Sequence, residues 1–386
     1  MMQILKFEFL KIFKNKSFIG AGIVLSMSLF AIVYMGLFQS QLTGIKNVTE
    51  SWGKIEAERN IHLADEYKGE LTDQKVKTII SDYLKVYQEN RKMEKDNFDY
   101  FYWSIVNTFV SGQDIYIDMI DANKTEKEYT IDDVKLNSIK KIGLNKSKFP
   151  IIIGNFKTWT ELLDVTTKVF MAIALFVILF CSLLFADDSS KNINPLLLST
   201  RFGRTKMIRS KIIVGTGLTI GIFLIVQLMI LSLFVYFYGI SGWDVSIQAN
   251  LDWKVFDFPL NWNLLQTYLF SMIFHLTSLL FIAGLTMLVS SLCRSSFSAL
   301  AISLSIFIIP QALKHLFLTG LLNKVLHLFP INNYEIEKTL QWMNRDNMFF
   351  FNSFSTNAVF ALMIMIFMKV ISDTILYMRM SKLRHV

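Results

Sequence analysis

Leu183-Leu184-Phe185-Ala186-Asp187-Asp188, then Leu196-Leu197-Leu198-Ser199-Thr200-Arg201-Phe202-Gly203-Arg204-Thr205-Lys206, then Ser210-Lys211, make a short polar and basic stretch between two long apolar runs. About 20 apolar helical residues cross the roughly 30 Å of hydrocarbon in a bilayer, and each flanking run is that long. A soluble fold has no use for such a layout.

Outward from this stretch, six segments qualify as spans: 18–38, 164–186, 212–240, 264–292, 296–318 and 354–377. In lipid every backbone polar group must be satisfied within the segment, and barrel strands would be about half as long and alternate in polarity. The runs therefore predict an all-α integral membrane protein with six transmembrane helices. Composition agrees: the 386 residues are 53% hydrophobic and only 18% charged, against about 25% charged in soluble domains. The net charge of +8 does not point to nucleic acid, because the basic residues sit at the ends of apolar runs.

Those positions also set an orientation. The N-terminal segment, the 187–211 loop, Arg294 and the tail (Arg379, Lys382, Arg384) hold fourteen Lys and Arg, against four in 241–263 and 319–353. Burying one such residue mid-bilayer costs about 2.5–3.5 kcal/mol, so the bias predicts both termini inside, in the cytoplasm of a cell whose plasma membrane the chain crosses. The first run follows Lys6, Lys11, Lys14 and Lys16 but exceeds a signal-peptide core and has no small-x-small site after it. It reads as an uncleaved span.

The expected domains are a cytoplasmic amphipathic helix over 1–17, span one over 18–38, a mainly helical extracytoplasmic domain over 39–163, and spans two to six over 164–386. Within the third of these, Thr72 is placed to cap a helix over 73–95, with Leu71 and Val76 as a hydrophobic staple. Val76, Ile79, Ile80, Tyr83, Leu84 and Tyr87 give it one apolar stripe. Thr130 with Asp133, and Gly143, bracket another expected helix, and the alternation at Ile115-Tyr116-Ile117 suggests a short strand. Trp159, Trp243, Trp253 and Trp262 fit an interfacial aromatic belt. Cys181 and Cys293 lie in or beside apolar runs and form no disulfide or metal framework.

In the N-terminal helix Leu5, Phe9, Ile12 and Phe13 can share an apolar face, with Lys6, Glu8 and Lys14 elsewhere. Among intramembrane polar residues, His275 and Gln227 are candidates for a translocation path, with helix–helix hydrogen bonding the alternative for His275. Lys369 and Asp373 lie four residues apart, and Gly217 with Gly221 offers a face for close helix approach.

The whole chain resembles the permease subunits of type-2 ABC exporters, in the Gram-positive branch with a large external domain after the first span. The resemblance is carried by Trp159 through Lys211, by Glu8-Phe9 with Lys11 and Lys14, and by Tyr67-Lys68-Gly69-Glu70-Leu71-Thr72-Asp73. That family usually shows Glu where Asp188 aligns, and often Gly near Asn192. The resemblance implies a coupling helix within 187–211 that docks on a separate cytoplasmic ABC ATPase. Asp187, Asp188, Leu197, Arg201, Gly203, Arg204, Lys206 and Glu8 are the candidate coupling residues. It also implies a dimer with a second permease copy or paralogue.

The chain has no Gly-x-x-x-x-Gly-Lys-Ser/Thr loop, so no cofactor is expected on it and ATP belongs to the partner. No zinc-protease or hydrolase-elbow pattern is present either. The function expected is therefore export of an unidentified substrate, with amphiphilic classes such as peptides, lipids or drugs fitting the Phe- and Met-rich spans. A non-transporting sensor or immunity protein, a secondary transporter and a channel stay open as alternatives.

Overall fold

The computed structural model describes residues 2–44, 46, 51–90, 99–112, 114–125, 128–144, 149–193, 203–345 and 349–382. The chain is an all-α integral membrane protein. Its helices are α1 (Met2–Phe13), α2 (Lys16–Val33), α3 (Lys54–Glu66), α4 (Asp73–Asn90), α5 (Tyr100–Phe109), α6 (Ile115–Lys124) and α7 (Lys157–Ser190). They continue with α8 (Ile208–Tyr238), α9 (Leu264–Leu292), α10 (Ser296–Leu316), α11 (Gly320–Leu326), α12 (Pro330–Asn333), α13 (Ile336–Asn344) and α14 (Phe354–Lys382). Among the described residues six stretches are long and apolar enough to cross a membrane: Lys16–Phe38, Lys157–Ser190, Thr205–Tyr238, Leu264–Leu292, Ser296–Leu316 and Phe354–Lys382.

The chain divides into two compact units. One comprises Met1–Ile32, Thr166–Ile230 and Phe270–Val386; the other comprises Val33–Val165 and Leu231–Leu269.

Of the six spanning stretches the one in α7 is the most buried, and Val169, Phe170, Ile173, Val177 and Phe180 are inside. It outruns the expected 164–186 at both ends, so Asp187 and Asp188 lie in its last turns rather than in a loop. Asn192 stops it. With φ +53°, Asn192 takes the left-handed position, its N–H bonds the Ser189 carbonyl at 3.1 Å, and the Ile193 N–H bonds the Asp188 carbonyl at 3.0 Å. That pairing closes a helix C-terminus and satisfies carbonyls the helix leaves open.

Close helix approach occurs at Gly215, where an added Cβ would lie 2.6 Å from Met287 Sδ and 2.7 Å from Leu184 Cδ1. Gly217 and Gly221 face nothing within 4 Å, so the expected Gly-x-x-x-Gly contact is not made among the described residues. The segment after α10 is not a plain connection. Pro310 sits inside α10, and its carbonyl accepts from Asn332 Nδ2 (3.1 Å), which also bonds the Leu326 carbonyl (2.8 Å). Ile331, Asn333, Ile336 and Leu340 are buried, so α11 to α13 fold back as part of the core.

The second unit joins 33–165 to 231–269, so the polar insertion after the first span shares its core with the connection between the third and fourth. Thr72 caps α4 by accepting the Lys75 N–H at 3.1 Å, and Val76, Ile79, Ile80 and Leu84 are buried beneath it. Two short strands, β1 (Gly69–Glu70) and β2 (Ile152–Ile153), pair antiparallel with Gly69 opposite Ile153.

Two local expectations fail here. Ile115-Tyr116-Ile117 begins helix α6, because the Asp114 carboxylate accepts the N–H groups of Tyr116 (3.0 Å) and Ile117 (3.3 Å). Thr130 and Asp133 do form a reciprocal capping box, but over a single 3-10 turn, Ile131–Asp133. The chain then turns extended because its backbone pairs with the end of α5: Ser111 N–H to the Lys135 carbonyl at 2.9 Å, Asn137 N–H to the Phe109 carbonyl at 2.7 Å.

The aromatic belt is also smaller than expected. Trp159 and Trp253 are buried, and Trp159 Nε1 donates to the Ser241 carbonyl at 2.8 Å, whereas Trp243 is exposed. The turn that receives Trp159 depends on Gly242: its φ is +85°, and a Cβ there would meet the Asn155 carbonyl oxygen at 1.8 Å.

Candidate functional site

Asp188 ends α7 on the face where α1 and α8 meet it. The carboxylate is 0% exposed, and each oxygen holds one ammonium: Oδ1 takes Lys11 from α1, Oδ2 takes Lys211 from α8. Lys211, 1% exposed, spends a second donor on the Leu184 carbonyl at 2.6 Å, and Glu8 Oε2 lies 4.0 Å from the same ammonium. Two acids and two bases thus form a neutral cluster. Charges out of water persist only when paired and hydrogen-bonded; Asp188 meets both conditions, and Glu8 adds a longer ion pair to Lys211.

Neighbouring helices fix this clasp. Ser290 of α9 wedges into the backbone of α7 one turn earlier, donating to the Ser182 carbonyl (2.7 Å) and accepting the Ala186 N–H (3.0 Å). The π-helical turn Gly203–Met207, which leads into α8, contacts both α1 and α14. Arg209 stacks 5.0 Å over the Tyr377 ring of α14.

The face of α1 differs from the expected one. Glu8 and Ile12 are buried, while Phe9 and Phe13 are exposed with Phe7 and Leu10. The ion pair with Lys211 outranks apolar burial, since lipid accommodates phenylalanine and leaves a carboxylate unsatisfied.

The structure therefore brings together Glu8 and Asp188, with Lys11 and Lys211 as partners beyond the candidate coupling residues. Asp187 lies one residue away and pairs with Lys191 at 2.7 Å. Gly203 is buried and Lys206 exposed on the π-helical turn. Leu197 and Arg201 lie outside the described residues, as does the side chain of Arg204. A sequence signal for the missed pair existed: Glu8 and Lys11 are one turn apart, and Lys211 stands at the head of an otherwise apolar run.

His275 and Gln227 occupy different surroundings. His275 Nε2 lies 2.9 Å from the Tyr334 carbonyl, just past α12, and its ring stacks on Phe170 at 4.7 Å. Eleven residues into α9, it sits about 16 Å from that helix's start, so the fold-back segment reaches well into the bundle. Gln227 is buried on α8, and neither amide atom has a partner among the described residues. Lys369 pairs with Asp373 at 2.5 Å along α14.

The second unit carries polar brackets that no sequence pattern announced. Lys157 is 3.0 Å from the Asp252 carboxylate and 3.1 Å from the Tyr100 hydroxyl, which itself donates to Asp252 at 2.7 Å. The Tyr238 hydroxyl lies 3.0 Å from the Glu161 carboxylate and 2.6 Å from the Leu37 carbonyl, so one proton serves two acceptors. Arg59 joins Glu56 to Asp99. Burial pushes the Glu56 carboxyl up, but hydrogen bonds from Arg59 and Ser51 outweigh it and hold Glu56 below the usual carboxylate range. At Asp99 burial wins over Arg59 and the carboxyl is raised.

Six spanning helices with an ionic clasp define a multi-pass membrane protein. Residues 2–349 match the family described as ABC-2 family transporter protein, and the chain belongs to that family. It is thus a permease subunit of an ABC transporter, a membrane subunit without an ATPase of its own that associates with an ABC ATPase. No curated protein and no solved structure matches the chain.

Proposed function

We propose that the chain exports an amphiphilic substrate across the plasma membrane, with both termini cytoplasmic and residues 39–163 outside. A second permease copy or paralogue completes the pathway, and two cytoplasmic ATPase subunits carry the ATP. Closure of those subunits pushes on 187–211 and on α1. The Asp188 clasp passes that displacement to α7 and α8, and His275 and Gln227 line the route the substrate takes.

The single observation supporting this reading is the burial of Asp188 between two lysines from two other helices. Asp188 then acts as a link inside the permease, while the exposed Lys206 and its neighbours meet the ATPase. For such a device to work, the ATPase must bind one permease state better than the other.

The test uses the purified permease–ATPase complex in proteoliposomes. Asp188→Asn is expected to leave the subunits associated while cutting substrate-stimulated ATP hydrolysis. Arg204→Glu is expected to weaken association itself. Full coupling in both variants, or labelling of residues 187–211 from outside the cell, overturns the assignment.

A further inference from the structure

The second unit holds an open groove of about 580 Å³ between α3 and the last turn of α8. Its size falls within the roughly 300–1,000 Å³ of small-molecule sites. One wall is a stripe of α3 at helical spacing, Lys54, Glu58, His62 and Glu66, with Asp65 beside it. The floor is Val235, Tyr236 and Phe237. Asp65 accepts the Ser241 hydroxyl at 2.5 and 2.7 Å, which fixes the wall to the turn after α8.

Glu58, Asp65 and Glu66 share the α3 wall with the ammonium of Lys54, and Glu66 is paired with His62 at 3.1 Å. That ammonium already shows what the floor accepts: Lys54 Nζ lies 5.0 Å over the Tyr236 ring and 3.7 Å from Glu58. An aromatic face beside a carboxylate favours a cation, more strongly when partly desolvated. Val235 and Tyr236 belong to the end of the spanning stretch Thr205–Tyr238 and are exposed, so the groove opens where hydrocarbon gives way to water.

We propose that this groove binds the ammonium head of a cationic amphiphile, whose apolar tail lies against the exposed Val235 and Tyr236. Lys54 is a tethered occupant of the head-group position that an incoming ammonium displaces. Calling this ligand the cargo rests on the export reading; the binding site itself does not.

The experiment measures equilibrium binding of a dansyl-labelled dodecylammonium probe to the full chain in phosphatidylcholine nanodiscs, with dodecyl sulfate bearing the same label as control. No ATPase is present, so a failure of coupling leaves the measurement intact. The altered side chains are all exposed, and circular dichroism checks that each variant stays folded. Glu58→Gln is expected to weaken ammonium binding about threefold, the scale of one exposed ion pair, whereas Glu66→Gln, about 12 Å further along α3 and paired with His62, is expected to change it far less. Lys54→Gln is expected to strengthen it about threefold by vacating the ring. The sulfate probe should bind more weakly than the ammonium probe to the unaltered chain. Equal binding of both probes, indifference to Glu58→Gln, or weaker binding in Lys54→Gln overturns the proposal.

Discussion

The ammonium of Lys211 donates to the backbone carbonyl of Leu184 at 2.6 Å, one turn before the carboxylate it also pairs with. A side chain from α8 thereby binds α7 at two points one turn apart. Such a grip resists rotation as well as separation, which a single contact does not.

Breaking it on one side should be costly. Asp188→Asn strips Lys11 of its counter-charge here and leaves Lys211 only the more distant Glu8, and loss of one partner from a buried pair typically costs about 3–5 kcal/mol. We expect a lower melting temperature in detergent. The double variant Asp188→Leu with Lys211→Met should regain most of that stability, because apolar packing often replaces a buried ion pair at no loss. Substrate-stimulated ATP hydrolysis by the permease–ATPase complex should stay impaired in the double variant; its recovery along with stability would show that the charges transmit nothing.

Glycine tolerance should divide sharply. Gly242→Ala combines a positive φ with a Cβ 1.8 Å from a backbone oxygen, and only main-chain movement can relieve that. Gly217→Ala and Gly221→Ala meet nothing within 4 Å. Yield of folded protein should fall severely for the first, by more than the ~1–3 kcal/mol usual for overpacking, and stay near the parent level for the others.

His327 offers a pH readout. Burial, and then the charge of Lys314, lowers its pKa to about 3. Between pH 6.5 and about 3 the unfolded chain therefore holds a proton on His327 that the native chain does not. Stability should fall as pH drops through that window, by at most about 1.4 kcal/mol per pH unit. Melting curves of His327→Leu should lose this contribution; an identical pH slope in parent and variant would contradict it.

Removing the ring nitrogen that meets Tyr334 isolates the fold-back segment. His275→Phe keeps the stacking on Phe170 but leaves the Tyr334 carbonyl without this donor, a loss of about 1–3 kcal/mol. Faster proteolysis between residues 317 and 353 is the expected consequence, with the rest of the chain unaffected.

Six spans were legible because length and apolarity leave a membrane helix no alternative, and α4 was legible because Thr72 and its apolar stripe point the same way. The ends of α7 and the state of Ile115 were not. Hydropathy says where lipid begins, whereas Asn192 and Asp114 decide where a helix stops or starts through hydrogen bonds that follow no apolar period. Glu8 and Asp188 stood out as charged residues beside spans. Their burial against Lys11 and Lys211 depends on three helices separated by long stretches of chain, and no local pattern contains that pairing.

The buried Lys211 also constrains how the chain is made. A lone lysine entering lipid on α8 would resist partitioning by about 2.5–3.5 kcal/mol if carried to mid-bilayer, and its counter-charge sits on the helix synthesised just before. The α7–α8 hairpin is therefore the smallest piece of the chain that carries Lys211 together with its counter-charge.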